Sequence, residues 1–416
     1  MQGIIEDIAF GGEGVLKNEG KVIFIPFTAP QDEGIFEITT EKKTHAFGKL
    51  KSLIHPSPQR TSPLCPVFER CGGCQFQHIS YPHQLKIKEK FISDALTRIG
   101  KISFPILPIF SAPKQFAYRQ YITLHLRTIQ NELVAGFVGH NPSEFIPIPT
   151  CPIFCEQNDP VFSSLKKLLK ALSCVSFKKA QVKLLKTSSL YIAVFSFFPT
   201  LPKNAQQILE SHASEWAALH LSSPSEKHFW GLEYLALSFL GLTLYSSPHS
   251  FLQNFTEQSE ALHSFILSSV SSQSKKILDL YCGIGITSLL LAREGKEVCG
   301  VELNLKAIEL ALLNATKNNL KAEFKQGKVE ILLPQLLTTF QPDCVILNPP
   351  RTGLDPQVIA ALNSSPPKEL LYISCMPATL ARDLPKLTQF KIHAIQPFDM
   401  FPQTTHVETV VALKQK

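Results

Sequence analysis

Two groups of residues in this 416-residue chain are spaced for chemistry. The first is Asp279-Leu-Tyr-Cys-Gly283-Ile-Gly285, where glycines follow an apolar run directly and open a helical one, so the backbone can approach a ligand closely. Glu302 closes the next apolar run, seventeen residues past Gly285, where a carboxylate can accept both hydroxyls of a ribose. Leu289 and its neighbours supply no third glycine of a G-x-G-x-x-G pattern, which favours S-adenosyl-L-methionine (SAM) over a dinucleotide. Asn348-Pro349-Pro350-Arg351 follows the apolar run CVIL, where methyl-transferring enzymes place polar groups beside the acceptor. Enzymes that methylate an exocyclic amine follow N-P-P with an aromatic residue that stacks on the base. Here Arg351 stands in that place, which argues against amine chemistry.

The second group is C-x5-C-x2-C at Cys65, Cys71 and Cys74, which Cys151 in P-T-C-P-I could complete. Four thiolates hold either zinc or an iron–sulfur cluster, and the spacing leaves both open. The C-x3-C-x2-C loop of radical enzymes is absent. Ten cysteines in a chain whose start, MQGIIEDIAF, has no basic leader argue for reduced thiols and metal binding rather than a disulfide framework. The same start, with no apolar run long enough to span a membrane, places the protein in the cytoplasm.

The elements that must position these residues fall into three stretches. Short alternating runs (VIFIPF, GIFEIT) around the turn Gly11-Gly12-Glu13-Gly14 predict a small β-barrel over 1–55. Residues 56–250 predict an irregular α+β region: a helix over 83–100 closed by Gly100, a second helix near 161–173, and strands at YITLHLR, LVAGFV, SLYIAVFSFF and LGLTLYSS. The last stretch, 251–416, changes at Lys275 to a β-α-β rhythm, which indicates a doubly wound, Rossmann-like α/β domain with its ligand at the carboxyl ends of the strands.

Charge separates these stretches as well. The net charge is +7, with six Lys/Arg against eight Asp/Glu in residues 1–55 and nine against three in 56–120. The second segment suits a polyanion, because each neutralised phosphate releases counterions. No obligate protein partner is implied.

Ring carbon 5 of uracil is a poor nucleophile until something adds to carbon 6, and a thiolate does this well. A base must afterwards take the proton from carbon 5. Y-I-S-Cys375-M-P-A-T-L-A-R-D and M-F-P-Q-T-T-H-V-Glu408, with S-P-H-S-Phe251-L-Gln253, D-L-Y-C-G and N-P-P-R-T-G, resemble the ordered motifs of the RNA uridine-5-methyltransferase family, in its branch with a TRAM barrel and an iron–sulfur cluster. The resemblance runs over nearly the whole chain. It implies a class I methyltransferase domain, Cys375 as nucleophile and Glu408 as base, Gln253, Tyr281, Gly283 and Glu302 against SAM, and Asn348 at the uracil beside it. It also implies a 4Fe–4S cluster on Cys65, Cys71, Cys74 and Cys151, with Cys155 a rival for the fourth place, and a uridine of 23S ribosomal RNA as substrate. Transfer RNA is the alternative substrate, and a catalytically weak RNA-binding module the alternative function. The family usually has Asp where Asn348 stands and Asn where Met376 stands, which bears on substrate recognition and leaves thiolate and base untouched.

Overall fold

In a computed structural model, residues 1–141, 143–156, 158–187, 190–249 and 253–416 are described, so Phe251 lies outside the described residues. The chain forms two compact units. The first comprises Met1–Lys88, Lys114–Glu233 and Phe401–Thr405, the second Glu89–Pro113, Tyr234–Met400 and His406–Lys416.

The first unit begins with β1 (Gln2–Ile4), β2 (Asp7–Ile8), β3 (Gly14–Asn18), β4 (Lys21–Ile25), β5 (Glu33–Glu41) and β6 (His45–His55), a six-stranded sheet ordered β1-β5-β6-β4-β3-β2. Alternation puts Ile5, Leu16, Ile23, Ile25, Phe36 and Ala46 into one core, each no more than 3% exposed. Helix α1 (Tyr81–Arg98) starts two residues before the predicted helix, at Tyr81-Pro82, where proline is tolerated in the first turn. Its residues to Lys88 belong to the first unit and the remainder to the second.

A second sheet is built from β7 (Tyr121–Ile129), β8 (Glu132–Val138), β9 (Phe145–Pro147), β10 (Lys179–Lys186), β11 (Tyr191–Phe198), β12 (Ala218–Ser222) and β13 (Lys227–Gly231). Between these strands lie α2 (Val161–Ala171) and α3 (Ala205–Ser211). The region read as irregular is thus a regular seven-stranded sheet, ordered β13-β12-β11-β10-β7-β8-β9.

In the second unit, β14 (Leu235–Phe239) and β15 (Leu242–Ser246) form a hairpin ahead of α4 (Thr256–Ser269). Then come β16 (Lys276–Leu280), α5 (Ile286–Arg293), β17 (Glu297–Glu302), α6 (Leu305–Lys317), β18 (Glu323–Gln326), α7 (Val329–Thr339), β19 (Cys344–Leu347), α8 (Pro356–Ser364), β20 (Glu369–Ser374), α9 (Pro377–Asp383), β21 (Phe390–Phe398) and β22 (Glu408–Gln415). Their sheet runs β18-β17-β16-β19-β20-β22-β21, parallel through β20 and antiparallel thereafter. The chain leaves β16 toward β18 and returns to β19, so the strand order reverses between β16 and β19, the place where such sheets take ligands. Parallel strands are covered on both faces, which is why β19 (CVIL) is buried throughout. Local signals set the helices: the Asn304 side chain accepts from the backbone of Lys306 and Ala307 at the start of α6, and Asp355 caps α8 ahead of Pro356.

Candidate active site

The carboxyl ends of β16, β17, β19 and β20 carry Tyr281, Glu302, Asn348 and Cys375. The turn after β16 is tight: Tyr281, Gly283 and Gly285 all have positive φ, at 63°, 56° and 83°. A Cβ on Gly285 would lie 2.8 Å from Phe324, whereas one on Gly283 would meet nothing within 4 Å. Gly285 therefore packs the turn against the sheet, while Gly283 leaves its backbone open to a ligand. The Gly283 amide donates to the Glu302 carboxylate at 3.2 Å, and the other oxygen of that carboxylate accepts from the Asn304 amide at 2.8 Å.

Beneath the turn, Asp279 is buried and accepts from the Ser288 hydroxyl at 2.6 Å. Burial pushes its carboxyl up to about 7, against the opposing effect of the Ser288 hydrogen bonds. Tyr281 is likewise pushed up to about 12 by burial, with Glu330 and Asp355 adding to it. Gln253 is half-buried just ahead of α4. Asn348 is exposed, and its amide donates to the Leu280 carbonyl at 3.3 Å, tying the end of β19 to β16.

Cys375 and Glu408 are brought together by strand register. β20 and β22 pair antiparallel as far as Ser374 opposite Thr409, and Cys375 and Glu408 are the residues immediately beyond that last pair on their two chains. Glu408 is 5% exposed and burial pushes its carboxyl up to about 8, with Arg351 acting to lower it. The Cys375 thiol is raised by burial and by Glu408, and lowered by the charge and hydrogen bond of Arg351. Two groups that can each carry a negative charge thus share one guanidinium. Arg351 is the residue that sequence reading undervalued, because it entered only as a missing aromatic ring. A cation immediately after N-P-P was the available signal.

Three comparisons bear on this geometry. The model of the family described as tRNA (Uracil-5-)-methyltransferase matches residues 240–416. An uncharacterized RNA methyltransferase of Protochlamydia amoebophila is 42% identical, over 100% of this chain and 98% of its own. The chain belongs to the SAM-dependent RNA (uracil-5-)-methyltransferase family. An uncharacterized RNA methyltransferase of Bacillus cereus is 33% identical over 99% of this chain and 96% of its own. Among solved structures, the Pyrococcus abyssi tRNA (uracil-54, C5)-methyltransferase in complex with S-adenosyl-L-homocysteine is similar over 99% of both chains, with a TM-score of 0.80 and 28% identity.

Four of the cysteines of this methyltransferase's first unit act on one another electrostatically: Cys74 is raised by Cys71 and Cys65, and Cys151 by Cys74, Cys65 and Cys71. Burial is the larger cause, and it pushes Cys74 up to about 11. The Cys155 thiol donates to the Cys151 carbonyl at 3.9 Å and lies beside the Thr150 hydroxyl, with Asp159 and Lys186 also acting on it. No group of three or more His, Cys, Asp or Glu among the described residues converges so as to hold a metal ion, so the expected metal centre is not displayed as a preformed single-ion site. One observation tests the fit of a larger group. The Arg119 guanidinium lies beside Cys74 and Cys151, and its buried Nε has no hydrogen-bond partner among the described residues. A half-buried cation with a spare buried donor beside four thiols is chemically compatible with an anionic thiolate-ligated group. No helix in the described residues is long and apolar enough to cross a membrane.

Proposed function

We propose that this methyltransferase transfers a methyl group from SAM to carbon 5 of a uridine in RNA, in the cytoplasm, with Cys375 as nucleophile and Glu408 as base. The nearness of Cys375 and Glu408 just beyond the Ser374–Thr409 pair of β20 and β22, with Arg351 acting on both, carries the reading. Bound SAM would supply an electrophilic methyl carbon on a sulfonium. Gly283 would bring its open backbone to it, Glu302 would accept the ribose hydroxyls, and Tyr281 and Gln253 would line the site. Cys375 adds to carbon 6 of the ring, and carbon 5 becomes an enolate carbon that forms the new bond to the methyl group as the methyl–sulfur bond breaks and S-adenosyl-L-homocysteine leaves as a neutral thioether. Asn348 would face the uracil edge, where its amide can both donate and accept. Glu408 then takes the proton from carbon 5, the electron pair closes the double bond, and the bond to Cys375 breaks.

Cys65, Cys71, Cys74 and Cys151 would hold a 4Fe–4S cluster that supports the fold around them. The sheet of residues 2–55 is proposed as a TRAM-like barrel, 56–250 as the RNA-recognition region and 251–416 as the catalytic domain. The likeness of barrel and cysteine motif to the ribosomal branch supports a uridine of 23S ribosomal RNA. The similarity to a solved tRNA enzyme supports transfer RNA as the second reading. In either case the target base is expected to be flipped from a loop.

Labelled methyl transfer to ribosomal fragments and to transfer RNA, with 5-methyluridine mapping in cells lacking the protein, separates the two substrates. Incorporation of label into neither RNA refutes the function. Within the mechanism, Glu408→Gln should keep addition and methylation and slow release by about 10²–10⁴. A covalent, methyl-labelled protein–RNA complex should then appear on a denaturing gel, while Cys375→Ala should give no complex at all.

A further inference from the structure

The strand that begins at Glu408 is reached through a five-residue segment, Phe401–Thr405, that belongs to the first unit although the residues on either side belong to the second. This segment is held residue by residue. Lys88, a fully buried lysine, donates to the Phe401 carbonyl at 2.9 Å. The equally buried Tyr118 hydroxyl donates to the Pro402 carbonyl at 3.0 Å. The Gln403 carbonyl accepts from the amides of Gln75 and Phe76, both at 3.0 Å. The buried Gln84 side chain closes the clasp in both directions: its Nε2 donates to Gln403 Oε1 at 3.0 Å, and its Oε1 accepts from the Gln403 amide at 3.1 Å. The same Nε2 also reaches the carbonyls of Phe76 and Ile79, so Gln84 is fixed independently of the segment it holds. Gln403 has φ of 68°, a left-handed conformation that a residue with a Cβ keeps only where its surroundings over-determine it.

Such dense anchoring of a short irregular segment exceeds what joining β21 to β22 demands. We propose that the clasp is a positioning device for Glu408, with Gln84 and Gln403 as its central pair, an inference that rests on reading Glu408 as the base. The first residue of β22 is fixed by strand pairing on one side only, where Glu408 lies opposite Phe398. On its other side the backbone reaches Gln403 within five residues, so the clasp fixes the path by which the chain enters β22. Addition of Cys375 and methyl transfer need no proton taken by Glu408. Loosening it therefore slows proton removal and leaves the earlier steps intact.

The test compares Gln403→Gly, Gln84→Leu and Glu408→Gln with the parent enzyme. Glycine takes the left-handed conformation without strain, so Gln403→Gly removes the side-chain half of the clasp while leaving the segment able to fold. Thermal unfolding and SAM titration check that each variant is folded. In a single turnover with labelled SAM, Gln403→Gly should methylate RNA at the parental rate and release it about 10²-fold more slowly, the cost of a misplaced group. The methyl-labelled protein–RNA band should accumulate as it does for Glu408→Gln. Gln84→Leu should act in the same direction, and the double variant should be no slower than the worse single one. Parental turnover without a band, or methylation and release falling together, overturns the proposal. If Glu408→Gln traps the band and Gln403→Gly does not, only the clasp is refuted. If Glu408→Gln traps nothing, the base assignment fails and the clasp reading fails with it.

Discussion

Arg351 favours the charged form of the two groups that the chemistry needs charged, against burial that favours the neutral one. Burial raises both Cys375 and Glu408, and the guanidinium lowers both. A single cation beside two potential anions favours one anion at a time, since the second would repel the first. Once the thiolate has added to the ring its charge is gone, and the guanidinium is then available to the carboxylate. The pH profile follows. Glu408 must be ionised to take a proton, so kcat should rise with pH through about 8, where burial has placed its carboxyl. Replacing Arg351 with Met removes the group that lowers both values, so the rising limb should move to higher pH. A limb that stays in place would show that Arg351 does not act on the reacting pair. Stability takes the opposite sign. A carboxyl raised in the folded state contributes fully below the unfolded value of 4.5, and that contribution is lost as pH rises through about 8. Thermal melts of Glu408→Gln should accordingly flatten the decline of stability between those pH values. The sequence displayed Cys375 and Glu408 because they lie in ordered motifs. It hid their mutual perturbation, which depends on strand register and burial.

At the scale of elements, the turn between β16 and α5 concentrates the demand on conformation, and its glycines make separable predictions. Gly283→Ala adds a methyl group where no neighbour lies within 4 Å, so the backbone alone opposes it, at about 1 kcal/mol. Its main loss should appear in SAM affinity, because the added carbon occupies space that the ligand needs. Gly285→Ala meets Phe324 at 2.8 Å in addition to the positive φ, so it should destabilise by about 2–4 kcal/mol. Denaturant unfolding and SAM titration of the two variants test the contrast, and equal stability losses would refute it. The β-α-β rhythm of this region was legible because strands buried on both faces read as unbroken apolar runs. In the second sheet the reading failed at β10, whose sequence KAQVKLLK carries three lysines. In the structure its Ala180, Val182 and Leu184 are buried on one face, while Lys183 on the other lies over the Tyr121 ring at 4.4 Å. Such a strand shows its alternation only once its neighbours are known.

Over the whole molecule, compactness does not follow chain order. Gln84 and Gln403 are 319 residues apart, and no periodicity or motif in the sequence links them. The four cysteines pose the related problem of groups far apart in sequence that meet only in the fold, and there the charge balance yields a prediction. As free thiols, Cys65, Cys71, Cys74 and Cys151 are all raised by burial, so as apoprotein they are neutral and offer no negative charge to the Arg119 guanidinium beside them. Binding a thiolate-ligated cluster would release the thiol protons and place anionic charge against that guanidinium. Anaerobic reconstitution should therefore give a brown protein with about four irons and four sulfides per chain, and proton uptake or release measured during loading should be pH-dependent. Arg119→Leu should retain all four cysteines yet lose iron faster to a chelator, because the compensating charge is gone. SAM affinity should not change in that variant, since Gly283 and Glu302 lie in the other compact unit. Stoichiometric zinc without sulfide would overturn the cluster. Unchanged iron loss in Arg119→Leu would instead leave the cluster standing and remove Arg119 from its support.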